Sequence, residues 1–298
     1  SDLGNLKDYL KSLKGSKILT FEETTTAQWL YTELQPLVKE ILVCDPYRNK
    51  LLSEGAKTDR IDAEKLVKLL RGNFLKPVYH SHEKLIFLRK LLSGYDDLVQ
   101  RGVRLKNQRS ALLRGVGLSK KGLDVPGEYE SFVLAKLDQS IAEYERDKEE
   151  YGKKLEEVTK KMKVVRDLKS IPGVGKIGAI KIAATVVSAE RFLSRNHFLS
   201  YCGLVRHDLV SGGRSYGSKR PRHRRDLKSV FKTAALSCIT REGDFKKYYE
   251  YLIAKRNYPE FKARHAVARK IATTAFGVMK DQKRYNWKKV GAIREIKK

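Results

Sequence analysis

Residues 55–66 read GAKTDRIDAEKL and set two carboxylates, Asp59 and Asp62, three residues apart where a helix begins. That spacing puts both on one helical face, where they can share a hard cation such as Mg²⁺. The plain alternative is a helix start in which Asp59 favours the dipole and Asp62 pairs with a lysine. Two further acids follow predicted strands: Glu22 after KILTF and Asp45 after ILVC. Strand carboxyl ends in α/β sheets collect active-site residues, and two metal ions held there clamp both oxygens of a phosphoryl displacement. A second kind of chemistry is offered by Ser211, which precedes Gly212, Gly213 and Arg214. A serine hydroxyl needs a base, a metal or electrophilic help to become a nucleophile. Arginine beside it binds phosphate and stabilises developing charge. His207 and His223 are near in sequence, but nothing marks either as a base, and a plain loop serine is the competing interpretation.

The stretch around Ser211 is strongly basic. Residues 206–232 carry nine Lys+Arg against two Asp. Gly212, Gly213, Gly217 and Pro221 forbid a continuous helix, so the expectation is a long flexible loop for phosphate neutralisation. Arg214, Lys219, Arg220, Arg222, Arg224, Arg225 and Lys228 are its candidate phosphate contacts, and Tyr216 can stack on a base. Upstream, PGVGKIGA (172–179) reads as a helix-hairpin-helix turn. There Gly173 and Gly175 would let backbone N–H groups approach a phosphate at a helix N-terminus, beside Lys176. An ordinary glycine turn between core helices explains the same residues.

The chain has 298 residues and formal net charge +28. Residues 1–80 are nearly balanced, with 13 Lys+Arg against 11 Asp+Glu, so the excess lies almost wholly in the rest. A block that basic points to a polyanion, with nucleic acid the default. Hydrophobic content of 41% supports real cores. No run of 18 apolar residues is present, so a membrane span is not expected, and the first residues lack the apolar region of a signal peptide. Three widely spaced cysteines (Cys44, Cys202, Cys238) suit a reducing cytoplasm and offer no zinc-knuckle spacing.

These residues need elements to hold them. Residues 1–80 alternate helix, strand, helix, strand, helix, the pattern of parallel strands joined by crossovers. YRNKLLSEG is expected to be helical, with Gly55 and Gly72 as stops. Two visible strands are too few for an open sheet, so the domain reads as partial. Residues 81–168 read as a helical arm. Leu137, Ile141, Tyr144, Tyr151, Leu155, Val158, Met162 and Val165 form a heptad seam, opposed by Leu88, Leu92, Tyr95 and Val99. GVGLSKKGLDVPGE links the two helices. Residues 169–298 read as all-helical with one long basic loop.

The ensemble FEETTTAQWL, KTDRIDAEKL, SIPGVGKIGA and RFLSRNHFLSYCGLVRHDLVSGG resembles the DEDD-motif transposases and recombinases. These include bridge-RNA-guided insertion sequences and pilin-gene invertases. The resemblance runs from about residue 18 to 280. It implies an α/β, partial RuvC-like RNase H domain at 1–80, a coiled-coil arm at 81–168 and a mainly α transposase domain at 169–298. It further implies that Glu22, Asp59 and Asp62 bind Mg²⁺ or Mn²⁺, and that Ser211 links covalently to DNA. A structured guide RNA, a dimer or tetramer joined through the arm, and a bacterial or archaeal nucleoid setting follow from the same resemblance. The family starts with a strand carrying a first aspartate, and this chain is expected to be N-terminally truncated within that domain, one metal ligand short. Its KRPRHRRDLK segment is more basic than the family's pattern. Two rival readings remain at this level: a non-catalytic nucleic-acid-binding relic, and a metal-dependent nuclease in which Ser211 is incidental.

Overall fold

The computed structural model describes residues 2–47, 58–81, 84–118 and 127–286. All of YRNKLLSEG after Tyr47, including Gly55, and most of the 115–128 link, lie outside the described residues. The chain divides after Glu83 into two compact units.

The N-terminal unit is small and α/β. Helix α1 (Leu3–Ser12) is capped by Asp2, whose carboxylate accepts from Gly4 N at 2.9 Å. Strands β1 (Ile18–Glu22) and β2 (Glu40–Cys44) pair in parallel, with Ile18 opposite Glu40 and Glu22 opposite Cys44. Their crossover is α2 (Ala27–Leu34), followed by a tight turn at Gln35–Leu37 where Pro36 cannot continue the α-helix. Helix α3 (Asp59–Arg71) starts on Thr58, whose hydroxyl accepts from Ile61 N at 3.3 Å. The chain then returns antiparallel along β2, where Val78 N donates to Val43 O at 2.8 Å. Leu10, Ala27, Leu34, Val43, Cys44 and Leu75 form a modest core.

The second unit is mostly helical. Helices α4 (Lys84–Gly115) and α5 (Glu128–Thr159) run antiparallel, as the descending pairings Gly94 with Tyr151, Gly102 with Tyr144 and Arg109 with Asp138 require. Tyr144 is buried where Gly102 leaves room, and Lys106 and Lys148 lie over its ring at 5.1 and 5.5 Å. A methyl group at Gly102 would sit well inside contact distance of that ring. Gly102→Ala is therefore expected to cost about 2 kcal/mol, read as a fall of about 5 °C in Tm.

The heptad seam does not extend as its spacing suggests. Helix α5 stops at Thr159, and Met162 takes an extended backbone (φ −81°, ψ 106°) before α6 (Lys163–Lys169). Val158 is exposed, while Thr159 turns inward and donates to Leu155 O at 2.6 Å. Met162 and Val165 consequently serve the globular core.

That core surrounds α7 (Lys176–Val186). Its Ala179, Ile180 and Ile182–Val186 are all buried, the mark of a helix packed on every side. Around it lie α6, α4 and α9 (Arg225–Ile239), with α8 (Arg195–Tyr201), α10 (Asp244–Ala254) and α11 (Glu260–Asp281) completing the unit. Phe198 meets Phe192 edge-on at 5.3 Å and Phe231 at 6.3 Å.

Residues 207–219 form a two-stranded ribbon, which corrects the expected flexible loop and the all-helical reading. Strand β3 (His207–Ser211) pairs antiparallel with β4 (Arg214–Lys219) across Gly212–Gly213. Both glycines have positive φ (53° and 75°), as a two-residue hairpin turn demands.

Candidate functional site

In the N-terminal unit, Glu22 is the exposed last residue of β1. Asp59 and Asp62 occupy the first turn of α3, where free N–H groups favour carboxylates, and Asp62 also lies 3.9 Å from Lys65. The α3 helix packs beside β1. Among the described residues, no group of three or more His, Cys, Asp or Glu side chains is gathered closely enough to hold a metal ion. Sequence reasoning missed His80. Its buried ring bonds Glu23 Oε2 through Nε2 at 2.6 Å and Gln28 Oε1 through Nδ1 at 2.8 Å, bracing the loop that follows Glu22. The signal was available only as a histidine with no stated partner.

In the second unit, Ser211 ends β3 at the tip of the ribbon. It pairs with Arg214, and its hydroxyl has no hydrogen-bond partner among the described residues. Leu209 and Tyr216 each lie two residues along the strands from the Ser211–Arg214 pair. A register shift between Asp208 and Val210 falls at Leu209 and Tyr216, next to the Ser211–Arg214 pair. Leu209, Val210 and Tyr216 are all exposed. At the ribbon's base, Arg206 Nε donates to Ser218 Oγ at 2.7 Å and its Nη2 to Ser218 O at 2.8 Å. His207 is drawn to Ser200 Oγ (3.2 Å), and His223 packs over Gly203 while bonding Pro221 O at 2.8 Å. Neither histidine serves as a base for Ser211 in this arrangement.

The basic residues divide by environment. Arg224, expected to bind phosphate, is committed to Asp226 through contacts of 3.2 and 3.0 Å. Burial would raise the Asp226 carboxyl, yet Arg224, Leu227 N and Thr185 Oγ1 outweigh it and hold it below the ordinary carboxylate range. Lys228 lies below its usual value because of burial and the charges of Arg220 and Lys232. Such crowding of cations is relieved by a polyanion. Lys232 follows Lys228 by one helical turn on α9, whereas Arg269 of α11 escaped sequence reasoning, because only helix packing brings its charge and those of Lys228 and Lys232 together around His265. Lys219 closes β4 and Arg225 opens α9. Lys176 is paired with Glu156, and Gly175 is an exposed N-cap. Gly173 differs: with φ 79°, it lies against α9, where a Cβ would meet Cys238 Sγ at 2.6 Å.

His265 on α11 faces the same patch. Burial, against a 3.2 Å hydrogen bond to Leu204 O, lowers its imidazole below the ordinary 6.5, and Arg269, Lys232 and Lys228 lower it further. The unfolded chain therefore takes up the proton first. Stability from neutral His265 is complete above pH 6.5 and is lost as pH falls toward the folded value. Thermal melts are expected to drop on acidification from pH 7 to 5.5, and His265→Gln should flatten that component.

Two family models match the chain over separate stretches. One for DEDD-type IS110 elements, described as a transposase, covers residues 1–117, and one described as the IS116/IS110/IS902 transposase family covers residues 165–250. The transposase for insertion sequence element IS1328 of Yersinia enterocolitica is 24% identical over 214 residues. That match spans 66% of this chain and 63% of the relative's length. No helix among the described residues is long and apolar enough to cross a membrane. One model thus matches the N-terminal unit and the start of α4, the other the stretch that holds the serine ribbon, and both are models of IS110-type transposases, to which the chain is similar.

Proposed function

We propose that this chain exchanges DNA strands through a covalent intermediate on Ser211. One observation carries the reading: Ser211 stands at the exposed tip of a ribbon, cross-strand from Arg214 and two residues along the strands from the exposed Tyr216. In the proposed step Ser211 Oγ attacks a DNA phosphorus and the bond to one deoxyribose oxygen breaks. A serine–DNA phosphodiester and a free strand hydroxyl result, with the serine proton passing to the leaving oxygen. A hydroxyl from another strand then reverses the step, so one diester replaces another with no external energy source. Arg214 neutralises the developing charge, and Tyr216 supplies a face for a base.

The reading extends to Glu22, Asp59 and Asp62 as the acid group of a RuvC-like N-terminal unit, with Mg²⁺ or Mn²⁺ as the family's metal. It also takes in a structured guide RNA for target choice and a dimer or tetramer joined through the α4–α5 arm. A second reading, nucleic-acid binding without cleavage, is favoured by the Lys228, Arg220 and Lys232 cluster, which needs no serine chemistry. Covalent trapping separates the two. End-labelled duplex DNA, copurified RNA and Mg²⁺ are incubated with the protein and run on a denaturing gel. A slow protein–DNA adduct supports strand exchange, whereas salt-sensitive binding with no adduct leaves a binding protein.

A further inference from the structure

A cleft of about 340 Å³ opens along the C-terminal half of α11. Its walls include Arg195, Lys270, Thr273, Gly277, Lys283 and Arg284, and Asp281 is the one carboxylate among the described lining residues. Arg284 is partnered by Asp167 and Lys270 stands over the Tyr248 ring at 6.0 Å, yet positive charge still exceeds negative among the described lining residues, and such a concavity attracts anions. The outer wall is residues 283–286, and it is fastened in place. Lys163 bonds Gln282 O, Tyr285 N donates to Ser170 Oγ at 2.9 Å, and the Tyr285 ring stacks on Phe245 at 6.1 Å. Arg284 Nε stands 3.8 Å from Asp167 Oδ1, a carboxylate already bonded to Lys163 at 2.9 Å.

Gly277 gives an independent sign of an occupant. A glycine inside a helix costs about 1 kcal/mol relative to alanine. Among the described residues, nothing beyond its chain neighbours and its own helix's backbone lies within 4 Å of where its Cβ would be, so packing against them does not require glycine here. The space in front of it is the cleft. A shallower neighbouring groove shares Arg195, Thr273 and Gly277 and continues past Asn196 and Phe276. The cleft volume is at the lower end for small-ligand sites, and the continuation suits a polymer better than a free ion or nucleotide.

We propose that this cleft grips a backbone phosphate of a nucleic-acid strand, a contact additional to the Ser211 ribbon. It rests on the nucleic-acid reading above, with Arg195, Lys270 and Lys283 as the phosphate cations and Gly277 as the floor that admits the strand.

The test is fluorescence anisotropy on the full chain with three probes of equal length: duplex DNA, single-stranded DNA and single-stranded RNA, each titrated with salt. Gly277→Leu plugs the cleft without changing charge. It is expected to weaken at least one probe about tenfold and to reduce the salt slope by about 0.7 for each single-strand phosphate it displaces. Arg195→Ala with Lys270→Ala should weaken binding to a similar extent, and adding Gly277→Leu to that pair should add little. Gly277→Ala should raise Tm and hold affinity within about twofold, showing that α11 tolerates a side chain there. The responding probe identifies the strand type. Wild-type binding that Gly277→Leu leaves intact, with an unchanged salt slope on all three probes, overturns the cleft proposal alone. A wild-type chain that binds none of the probes overturns the nucleic-acid reading itself.

Discussion

Ser211→Ala is expected to abolish the covalent DNA adduct, by at least about 10³-fold, while duplex affinity changes less than about twofold. The asymmetry follows from where the hydroxyl lies. Ser211 is exposed, contributes no buried area, and its hydroxyl bonds nothing among the described residues. Its removal opens no cavity and orphans no partner, so stability should move by less than about 0.5 kcal/mol. Arg214 and the base of the ribbon remain to hold DNA. Arg214→Ala should show the complementary pattern, with weakened adduct formation, lower affinity and a shallower salt slope. A full-strength adduct from Ser211→Ala would remove the serine from the mechanism and return the protein to the metal-nuclease reading.

Gly173→Ala should give the largest loss of stability, about 3 kcal/mol, seen as a fall of about 10 °C in Tm. Two costs combine. The residue holds φ 79°, a region that strains any side chain, and a Cβ would press into the Ala234 carbonyl and the Cys238 sulfur. That sulfur is itself held, 3.1 Å from Pro172 O. Gly175→Ala is the control: its φ of −71° suits alanine, nothing lies near the added carbon, and its Tm should barely move. Normal melting of Gly173→Ala with weakened DNA affinity would reinstate phosphate contact as the reason for this glycine.

How far the sequence reveals these features depends on whether the cause is local or distant. Strands β1 and β2, helix α2 and the start of α3 announce themselves through short apolar runs, Pro36 and the Thr58 cap, all set by near neighbours. The ribbon is also locally encoded, since Gly212–Gly213 between two extended runs is a hairpin signal. The charge of residues 206–232 and their other glycines pointed instead to a loop. The end of α5 was hidden because the heptad spacing continues through Met162 and Val165 even though the backbone turns there. The Thr185–Asp226 bond, the Glu23–His80–Gln28 braces and the contact of Gly173 with α9 depend on residues that tertiary folding brings together. Spacing along the chain carries no record of such neighbours.

The root of the α4–α5 arm has a mechanical consequence. Arg89, near the start of α4, donates from Nε to Ala184 O at 2.9 Å and from Nη2 to Thr185 O at 3.2 Å, while Lys181 is paired with Asp96. The arm is therefore anchored to the end of α7 at two points. A 32-residue helix spans about 48 Å, so a tilt of about 5° at this anchor displaces the far end by about 4 Å. Thr185 also donates its hydroxyl to Asp226 at 3.1 Å, and Asp226 holds Arg224 at the exit of the basic segment. One threonine and one ion pair thus join the foot of the arm to the first turn of α9, which follows the serine ribbon in the chain.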